Sequence, residues 1–308
     1  MTIDFLVAAL MTIITASTPL VFAAVGEIVA ERSGVLNLGV EGMMIVGAIG
    51  AFATGIITGD PVLAVLAGAA SGALMAFIFG CLTLWLLSNQ VATGLALTIF
   101  GIGLSALLGH QFVGVTLAGL PRLDIPGITD LPFIGPLLFG HDALVYLSVV
   151  SVIAVAWFLR HTRAGLALRA VGENHDAAHS IGYPVILIRL LAVLFGGAMA
   201  GLGGACLSLA YTPLWIENMT AGRGWIALAL VVFASWRPWR AFFGAYLFGG
   251  ITIIQLHAQG LGVAIPSQIL SMLPYIATIV VLVLISRDDV RMRFNAPACL
   301  GRSFHATG

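Results

Sequence analysis

The sequence predicts an all-α polytopic membrane protein, with about 8–10 transmembrane helices in a single domain over residues 1–308. The chain is 60% hydrophobic and only 8% charged, whereas soluble domains carry about 25% charged residues. Apolar stretches of about 20 residues, the length that spans a bilayer as a helix, recur along the chain. Glycine occurs 37 times, which favours close approach between membrane helices.

Nine apolar stretches are candidate membrane segments. They lie at residues 8–30, 39–58, 62–87, 91–110, 143–159, 186–211, 224–236, 241–258 and 268–286. The stretch at 224–236 is too short to cross comfortably, so we expect it to be tilted, broken or re-entrant.

The distribution of arginine predicts the orientation. All 13 basic residues are arginine. With the N-terminus outside, the inner loops hold eleven arginines and the outer loops hold only Arg122 and Arg223. Because cytoplasmic loops favour positive charge, this split predicts an outer N-terminus and a cytoplasmic C-terminus. Residues 287–308 are then expected to form a frayed cytoplasmic tail.

The first polar break, residues 27–41, separates two apolar stretches with almost no loop. We expect Glu31 and Arg32 to lie in a solvated cytoplasmic turn. Asn37 and Glu41 have two interpretations. They belong to the same turn, or they line a cavity or gate, since polar groups at membrane depth normally face a bundle interior or a water-filled path.

Two further breaks flank the fourth apolar stretch. Asn89, Gln90 and Thr93 lie in SNQVAT, which is either a tight turn with a helix cap or part of a polar path. The outer connection 111–142 contains four prolines. It therefore cannot form one regular helix, and it is suitably placed to meet an external soluble partner.

Another polar cluster, YTPLWIENMTAGRGW at residues 211–225, lies on the expected outer side. Glu217 and Arg223 are its charged residues. We expect Trp215 and Trp225 to be interfacial anchors, because tryptophan is enriched at membrane boundaries.

The longest polar interruption is residues 160–184, RHTRAGLALRAVGENHDAAHSIGYP. Asn174 is a favourable N-cap, and Gly182 is a favourable helix end. The pattern therefore predicts a short helix over 175–181, preceded by a helical turn that ends at Gly172.

The predicted short helix has the character of a docking element. Ala177, Ala178 and Ile181 would give it a small, flat apolar face for a groove on a soluble partner. His175 and His179 have a spacing that zinc sites use, but no convincing third ligand accompanies them, so we predict no metal site.

Several functions are disfavoured by composition. The chain contains no lysine, so it cannot form a Walker-type phosphate loop by itself. The net charge is zero, and we expect no nucleic-acid partner. An intramembrane enzyme would need a catalytic cluster inside the bilayer, and no catalytic residue stands out. A free-standing channel or ion-coupled transporter remains an alternative, although the spans contain few ionisable residues to couple ions.

Three segments resemble a known family. RAVGENHDAAHSIGYPV resembles the coupling-helix segment of permease subunits of ATP-binding cassette (ABC) importers in the branched-chain amino acid, ribose and nucleoside group. ERSGVLNLGVEGMMIVGA resembles the group's first signature, in its nucleoside-type branch. GRGWIALALVVFASWRPWRAFFGAYLFGG resembles that branch's second signature. Together the matches extend over about residues 15–285.

The resemblance implies a type II-like importer permease with two inverted halves in a bacterial plasma (inner) membrane. Its partners would be an ABC ATPase subunit, a second permease subunit of paralogous sequence, and an extracellular or periplasmic substrate-binding protein, within the lipid bilayer. This chain would bind no cofactor, and ATP-Mg would lie on the ATPase. A nucleoside is the expected cargo, with simple sugars or branched-chain amino acids as alternatives.

The resemblance also assigns residues to roles. Residues 160–184 would be a cytoplasmic coupling loop, and its ATPase-coupling residues would be Arg169, Gly172, Glu173, Ala177, Ala178 and Gly182. The polar breaks themselves, and not the resemblance, supply the candidates for the translocation pathway, which are Asn37, Glu41, Asn89, Gln90 and Thr93. The candidates for contact with the binding protein are Glu217 and Arg223.

Overall fold

The computed structural model describes residues 3–123, 134–260 and 296–305, with scattered positions between 266 and 283. Its helices are α1 (Ile3–Arg32), α2 (Val40–Thr58), α3 (Pro61–Gly80), α4 (Gln90–Gly109), α5 (Ile134–Phe139), α6 (Ala143–His161), α7 (Arg163–Glu173), α8 (His175–Ser180), α9 (Val185–Cys206), α10 (Arg223–Phe233) and α11 (Pro238–Gly260). α3 and α9 continue into π-helical turns at Cys81–Trp85 and Leu207–Tyr211. α4 continues into a 3-10 turn at His110–Phe112.

Seven helices in the described part of the chain are long and apolar enough to cross a membrane, including the turns that extend them. They are α1, α2, α3, α4, α6, α9 and α11. α10 is apolar but has only 11 residues, in agreement with the short segment expected at 224–236. The span predicted at 268–286 falls largely outside the described residues. The prediction of an all-α, multi-pass membrane protein is confirmed.

Local capping determines where many helices begin. Five side chains accept hydrogen bonds from backbone N–H groups in the first turns of α3, α4, α6, α7 and α8, and thereby satisfy donors that lack a partner within the helix. They are Asp60, Asn89, Asp142, Thr162 and Asn174.

α2, α3 and α9 pack through glycines into a central slab. A Cβ at Gly47 would overlap the backbone of Gly201, and a Cβ at Gly72 would overlap the backbone of Gly197. These helices therefore touch backbone to backbone. In a membrane the lipid tails are as apolar as the helix surfaces, so helix pairs are stabilised by such close packing of small residues and not by hydrophobic burial.

α1 lies against this slab and runs antiparallel to α9. Pro19 lies beside Gly203, whereas Gly26 lies beside Gly196 further along α1. The contact is again made at backbone distance, since a Cβ at Gly26 would lie 2.9 Å from the carbonyl oxygen of Gly196.

Each of these two long helices leads into a connection and a helix that starts inside the bundle. Residues 33–39 join α1 to α2, and residues 212–222 join α9 to α10. α2 packs along α9, while α10 returns along α1 until Trp236 reaches the end of α1. The N-termini of α2 and α10 meet, with Glu41 against Gly224. This arrangement agrees with the inverted halves that the resemblance implies.

The expectation of a frayed tail is wrong for residues 296–305. The backbone N–H of Cys299 donates to the carbonyl of Gly172 at 2.9 Å, and that of Gly301 donates to the carbonyl of Gly34 at 3.1 Å. Cys299 and Phe304 are buried, so packing and backbone pairing hold the segment in place. The remainder of the predicted tail, residues 287–295 and 306–308, lies outside the described residues.

Candidate functional site

The junction between the two halves is built around a buried carboxylate, and we call Glu41, Thr220, Gly222 and Gly224 the junction. Oε1 of Glu41 accepts from the Thr220 hydroxyl at 2.6 Å and from the Gly222 N–H at 2.8 Å. Oε2 accepts from the Gly224 N–H at 2.6 Å. An anionic group at a helix N-terminus fits both the free N–H groups and the helix dipole. Glu41 thus joins the start of α2 to the start of α10.

The junction lies well inside the bundle. A Cβ at Gly42, next to Glu41, would lie 2.8 Å from the Cα of Thr98. Thr98 comes eight residues after Gln90, the first residue of α4, which places it about 12 Å along that helix. The polar break at 27–41 is therefore a re-entrant connection and not a surface turn.

Asn37 shapes this connection. Its side-chain oxygen accepts from the Gly39 N–H at 2.9 Å, and its own N–H donates to Oε1 of Glu27 at 3.3 Å. The Thr98 hydroxyl donates to the carbonyl of Leu38 at 3.1 Å. Of the two interpretations of Asn37 and Glu41, the structure excludes the short surface turn, since both side chains are buried.

The expectation of a solvated turn at Glu31 and Arg32 is wrong. Glu31 is only 1% exposed and accepts a hydrogen bond from the indole N–H of Trp236. Arg32 is half-buried and donates to the carbonyl of Trp236 at 3.3 Å. The turn between α10 and α11 covers the end of α1, which removes these groups from solvent. Glu27, one helical turn before Glu31, is also buried.

Residues of the second polar break serve two purposes, a helix cap and a contact with the 33–39 connection. Asn89 caps α4, accepting from the Ala92 N–H at 3.0 Å, as the turn-and-cap interpretation expects. Thr93 pairs with the Ser88 hydroxyl at 2.8 Å. Gln90 is buried, and its side-chain oxygen accepts from the Leu36 N–H. The structure therefore brings Gln90 to the 33–39 connection, whereas Asn89 stays exposed at the helix start.

The helices predicted within residues 160–184, which we call the coupling loop after the role that the resemblance implies, are present. α8 covers His175–Ser180, and the Asn174 side chain caps it by accepting from the Ala177 N–H at 2.9 Å. Gly182 has φ +94°, a left-handed conformation that glycine adopts without steric cost. The preceding helix, α7, ends at Glu173, one residue beyond the predicted end.

The six candidate coupling residues differ in exposure. Those that reach the surface are Glu173, Ala177 and Gly182. Arg169 is half-buried, whereas Gly172 and Ala178 are buried. The first three can meet a soluble partner, and the last two support the segment from behind.

The predicted single apolar face of α8 is wrong. Ala178 is buried with Val171 and Val185, while Ala177 and Ile181 face solvent, with Ile181 74% exposed. α8 is too short to bury three apolar residues on one side. Ala178 is buried against the neighbouring helices, whereas Ala177 and Ile181 remain exposed.

Gly172 brings the coupling loop into direct contact with α1. A Cβ at Gly172 would overlap the carbonyl oxygen of Arg32 and would lie 3.3 Å from the nitrogen of Gly34. α7 therefore touches the chain just before the connection that leads to the junction. Any side chain at position 172 would push these elements apart.

Arg189 is a functional candidate that the sequence pattern did not single out beyond its charge. Its Nη2 lies 3.0 Å from Nδ1 of His175. Because a guanidinium only donates, Nδ1 must accept, which makes His175 a neutral imidazole with its proton on Nε2. Burial, and then the charge of Arg189, lower the pKa of His175. An arginine one helical turn into an apolar span was the available signal.

The other two candidates, Glu217 and Arg223, lie on the connection between α9 and α10 and at the first residue of α10. Glu217 is exposed. Arg223 is half-buried, donates to the carbonyl of Met219 at 3.1 Å and lies over the ring of Tyr211 at 5.6 Å. A cavity of about 500 Å³ opens nearby and includes Tyr211 and Arg122 in its lining.

The interfacial role expected for Trp215 is wrong. Trp215 is 1% exposed and packs on Gly109 at the end of α4. Its backbone forms a bridge with Val113, so the connection 212–222 is paired with the segment that follows α4. Trp225 is 37% exposed, and its role as an interfacial anchor stays a prediction.

Comparison with known proteins gives a consistent result. Residues 9–285 match the family described as "Branched-chain amino acid transport system / permease component". The chain is 40% identical to a putative glucose ABC transporter permease protein of Haloferax volcanii, with 95% of each chain covered. It is 33% identical to the nucleoside ABC transporter permease protein NupC of Lactococcus lactis, covering 87% of this chain and 89% of the relative. It is 30% identical to the guanosine ABC transporter permease protein NupQ of Bacillus subtilis, covering 93% and 94%.

Proposed function

Since the chain belongs to the branched-chain amino acid transport system permease family, whose members are ABC transporter permeases, we propose that it forms half of the pathway of an ATP-driven nucleoside importer. The observation that carries this proposal is the junction. The helices α2 and α10 start at one buried carboxylate, and backbone contacts at Gly172 bring the exposed coupling loop to the chain that leads to it.

The coupling loop is the proposed contact with a separate ABC ATPase, which would bind ATP-Mg. The exposed side of α7 and α8, with Glu173, Ala177 and Gly182, would dock on that subunit. A displacement of the loop would pass through Gly172 to the end of α1, and from there along 33–39 to Glu41. This route is supported by the direct contact at Gly172, where no side chain separates the backbone of α7 from that of α1.

The pathway itself would run beside the junction. Asn37, Glu41 and Gln90 supply polar groups along one connection within an apolar bundle, and Asn89 and Thr93 extend them toward the coupling loop. In this conformation the Glu41 carboxylate accepts three hydrogen bonds, from Thr220, Gly222 and Gly224. A movement of α10 would break these hydrogen bonds and change the polarity of the path.

The remaining partners follow from the family. A second permease, paralogous to this one, would complete the pathway, and a substrate-binding protein would dock at the end that carries Glu217 and Arg223. We place that end outside and the coupling loop in the cytoplasm of a bacterium, with the N-terminus outside and the C-terminus inside, because the expected inner loops hold eleven arginines against two.

Two cargo classes have support. Relatives named for nucleosides and guanosine favour a nucleoside. The 40% identical relative, named as a putative glucose permease, favours a simple sugar as the second candidate. Both are neutral solutes with a hydroxylated ring, which suits the uncharged candidates for the path, Asn37, Asn89, Gln90 and Thr93. Branched-chain amino acids, which the family description names, carry a zwitterionic backbone and come next.

Reconstitution tests the proposal. Proteoliposomes with both permeases, the ATPase and the binding protein should take up labelled nucleoside when ATP is supplied. Removing the Walker lysine of the ATPase should abolish uptake, and undiminished uptake would contradict an ATP-driven importer. The cargo is decided by which compound, a nucleoside or glucose, raises the melting temperature of the binding protein.

The docking surface is tested by Ala177→Trp, which places a bulky group on the exposed side of α8. We expect ATP hydrolysis to continue while uptake falls, because the ATPase can no longer seat on the helix. Val62→Trp is the matched control, since Val62 is 65% exposed at the opposite end of the bundle. Normal uptake by Ala177→Trp would remove α8 from the docking surface.

A further inference from the structure

Residues 296–305, which we call the clasp, lie across the coupling loop and the end of α1. Cys299 pairs with α7 through its N–H on the Gly172 carbonyl at 2.9 Å, and its thiol lies 3.4 Å from the carbonyl of Glu173. Gly301 pairs with the carbonyl of Gly34 at 3.1 Å. The clasp therefore bridges the coupling loop and the start of the 33–39 connection by backbone hydrogen bonds.

An aromatic side chain fixes the far end of the clasp to α8. Phe304 is 6% exposed, and its ring meets the edges of His175 and His179, each with a centroid distance of 5.3 Å. It completes a small core with Ala178 and Val171. Because α8 has only six residues, it has little stability of its own, and this core supplies a large part of its packing.

Arg189 joins the same elements from inside. It is fully buried. Nε donates to the carbonyl of Ser33 at 3.1 Å, Nη1 donates to the carbonyl of Arg302 at 3.0 Å, and Nη2 donates to His175. A buried guanidinium is costly unless its donors are satisfied. Here the clasp, α8 and the 33–39 connection each supply one acceptor, so losing the clasp leaves a buried donor unpaired.

We propose that the clasp is a positioning element for energy coupling, which makes α7, α8 and the 33–39 connection move as one body. The proposal rests on the proposed function of the coupling loop. Without the clasp, α8 would still present its exposed side to an ATPase. A displacement of α8 would then not reach the 33–39 connection, because the backbone hydrogen bond to Gly34 and the packing of Phe304 would be missing.

The test is Phe304→Ala, measured as uptake per ATP hydrolysed in the reconstituted transporter. We expect the complex to assemble and hydrolyse ATP, with uptake per ATP lowered at least about fivefold, the lower range of coupling between sites. A chain ending at position 295 should show the same loss, and Phe304→Leu should recover most of it. The control His305→Ala changes an exposed neighbour and should leave the ratio unchanged.

Wild-type stoichiometry in both Phe304→Ala and the shortened chain would overturn the proposal. Failure of the unaltered transporter to use ATP would instead contradict the proposed function. Should Phe304→Ala not fold, maleimide labelling of Cys299 in the unaltered protein decides. A clasp that moves with the coupling loop keeps this buried thiol protected both without nucleotide and during ATP turnover. Rapid labelling during turnover would mean that the clasp detaches.

Discussion

Replacing Glu41 by glutamine is expected to destabilise the bundle by about 3–6 kcal/mol. The carboxylate accepts three hydrogen bonds, at 2.6, 2.8 and 2.6 Å. Glutamine keeps one acceptor oxygen for Thr220 and Gly222 but turns an amide N–H₂ toward the N–H of Gly224. One charge-assisted bond, worth about 1.5–3 kcal/mol, is lost, and the other two lose their charge assistance and weaken by about half.

The assay is unfolding of the purified protein in mixed micelles by increasing SDS, together with ATP-driven uptake. Glu217→Gln is the matched control for the unfolding measurement alone, since the same change at an exposed site should shift stability by no more than about 0.5 kcal/mol. We expect Glu41→Gln to unfold at clearly lower SDS and to transport poorly. Unfolding at the wild-type SDS fraction, with normal uptake, would refute the role of the carboxylate in joining the two halves.

Three further changes probe the coupling end. Gly172→Ala should destabilise the protein by about 1–3 kcal/mol, because its methyl group overlaps the end of α1, and thermal unfolding with uptake per ATP would detect it. Trp236→Phe removes the donor to buried Glu31 and should cost about 1–3 kcal/mol in SDS unfolding, whereas the same change at exposed Trp239 should cost little. Because burial lowers the pKa of His175, the folded state binds fewer protons than the unfolded state. The stability that depends on neutral His175 is therefore present above about pH 6.5 and is lost as pH falls toward the lowered pKa. The melting temperature should drop more between about pH 7.5 and 5.5 in the wild type than in His175→Gln. Equal drops in both would contradict the neutral assignment.

Apolar run length and helix-capping residues predicted the positions of several helices correctly. The stretch at 39–58 became α2, Val40–Thr58, and the stretch at 91–110 became α4, Gln90–Gly109. The Asn174 cap and the Gly182 stop defined α8 almost to the residue. These features depend on apolar run length and on hydrogen bonds within a few positions, so one sequence contains the information that they need.

Contacts between residues far apart in the sequence could not be predicted from these local patterns. Glu31 meets Trp236 across 205 positions, and Glu41 meets Thr220 across 179. Nothing in the composition around Glu31 distinguishes a solvated turn from one that another turn covers. Trp215 failed as an interfacial anchor for a related reason, because only the packed structure shows that a glycine on α4 leaves room for the indole.

The glycine contacts of the central slab limit which parts of the protein are free to move. Where Gly47 meets Gly201 and Gly72 meets Gly197, backbone lies against backbone, so no side chain at these points could rotate to accommodate sliding. Interfaces of this kind resist small displacements, since interdigitated backbones have no alternative rotamers. We therefore expect these three helices to stay together during transport, so that a change of conformation falls on the elements around them, beginning with the contacts between Glu41 and the start of α10.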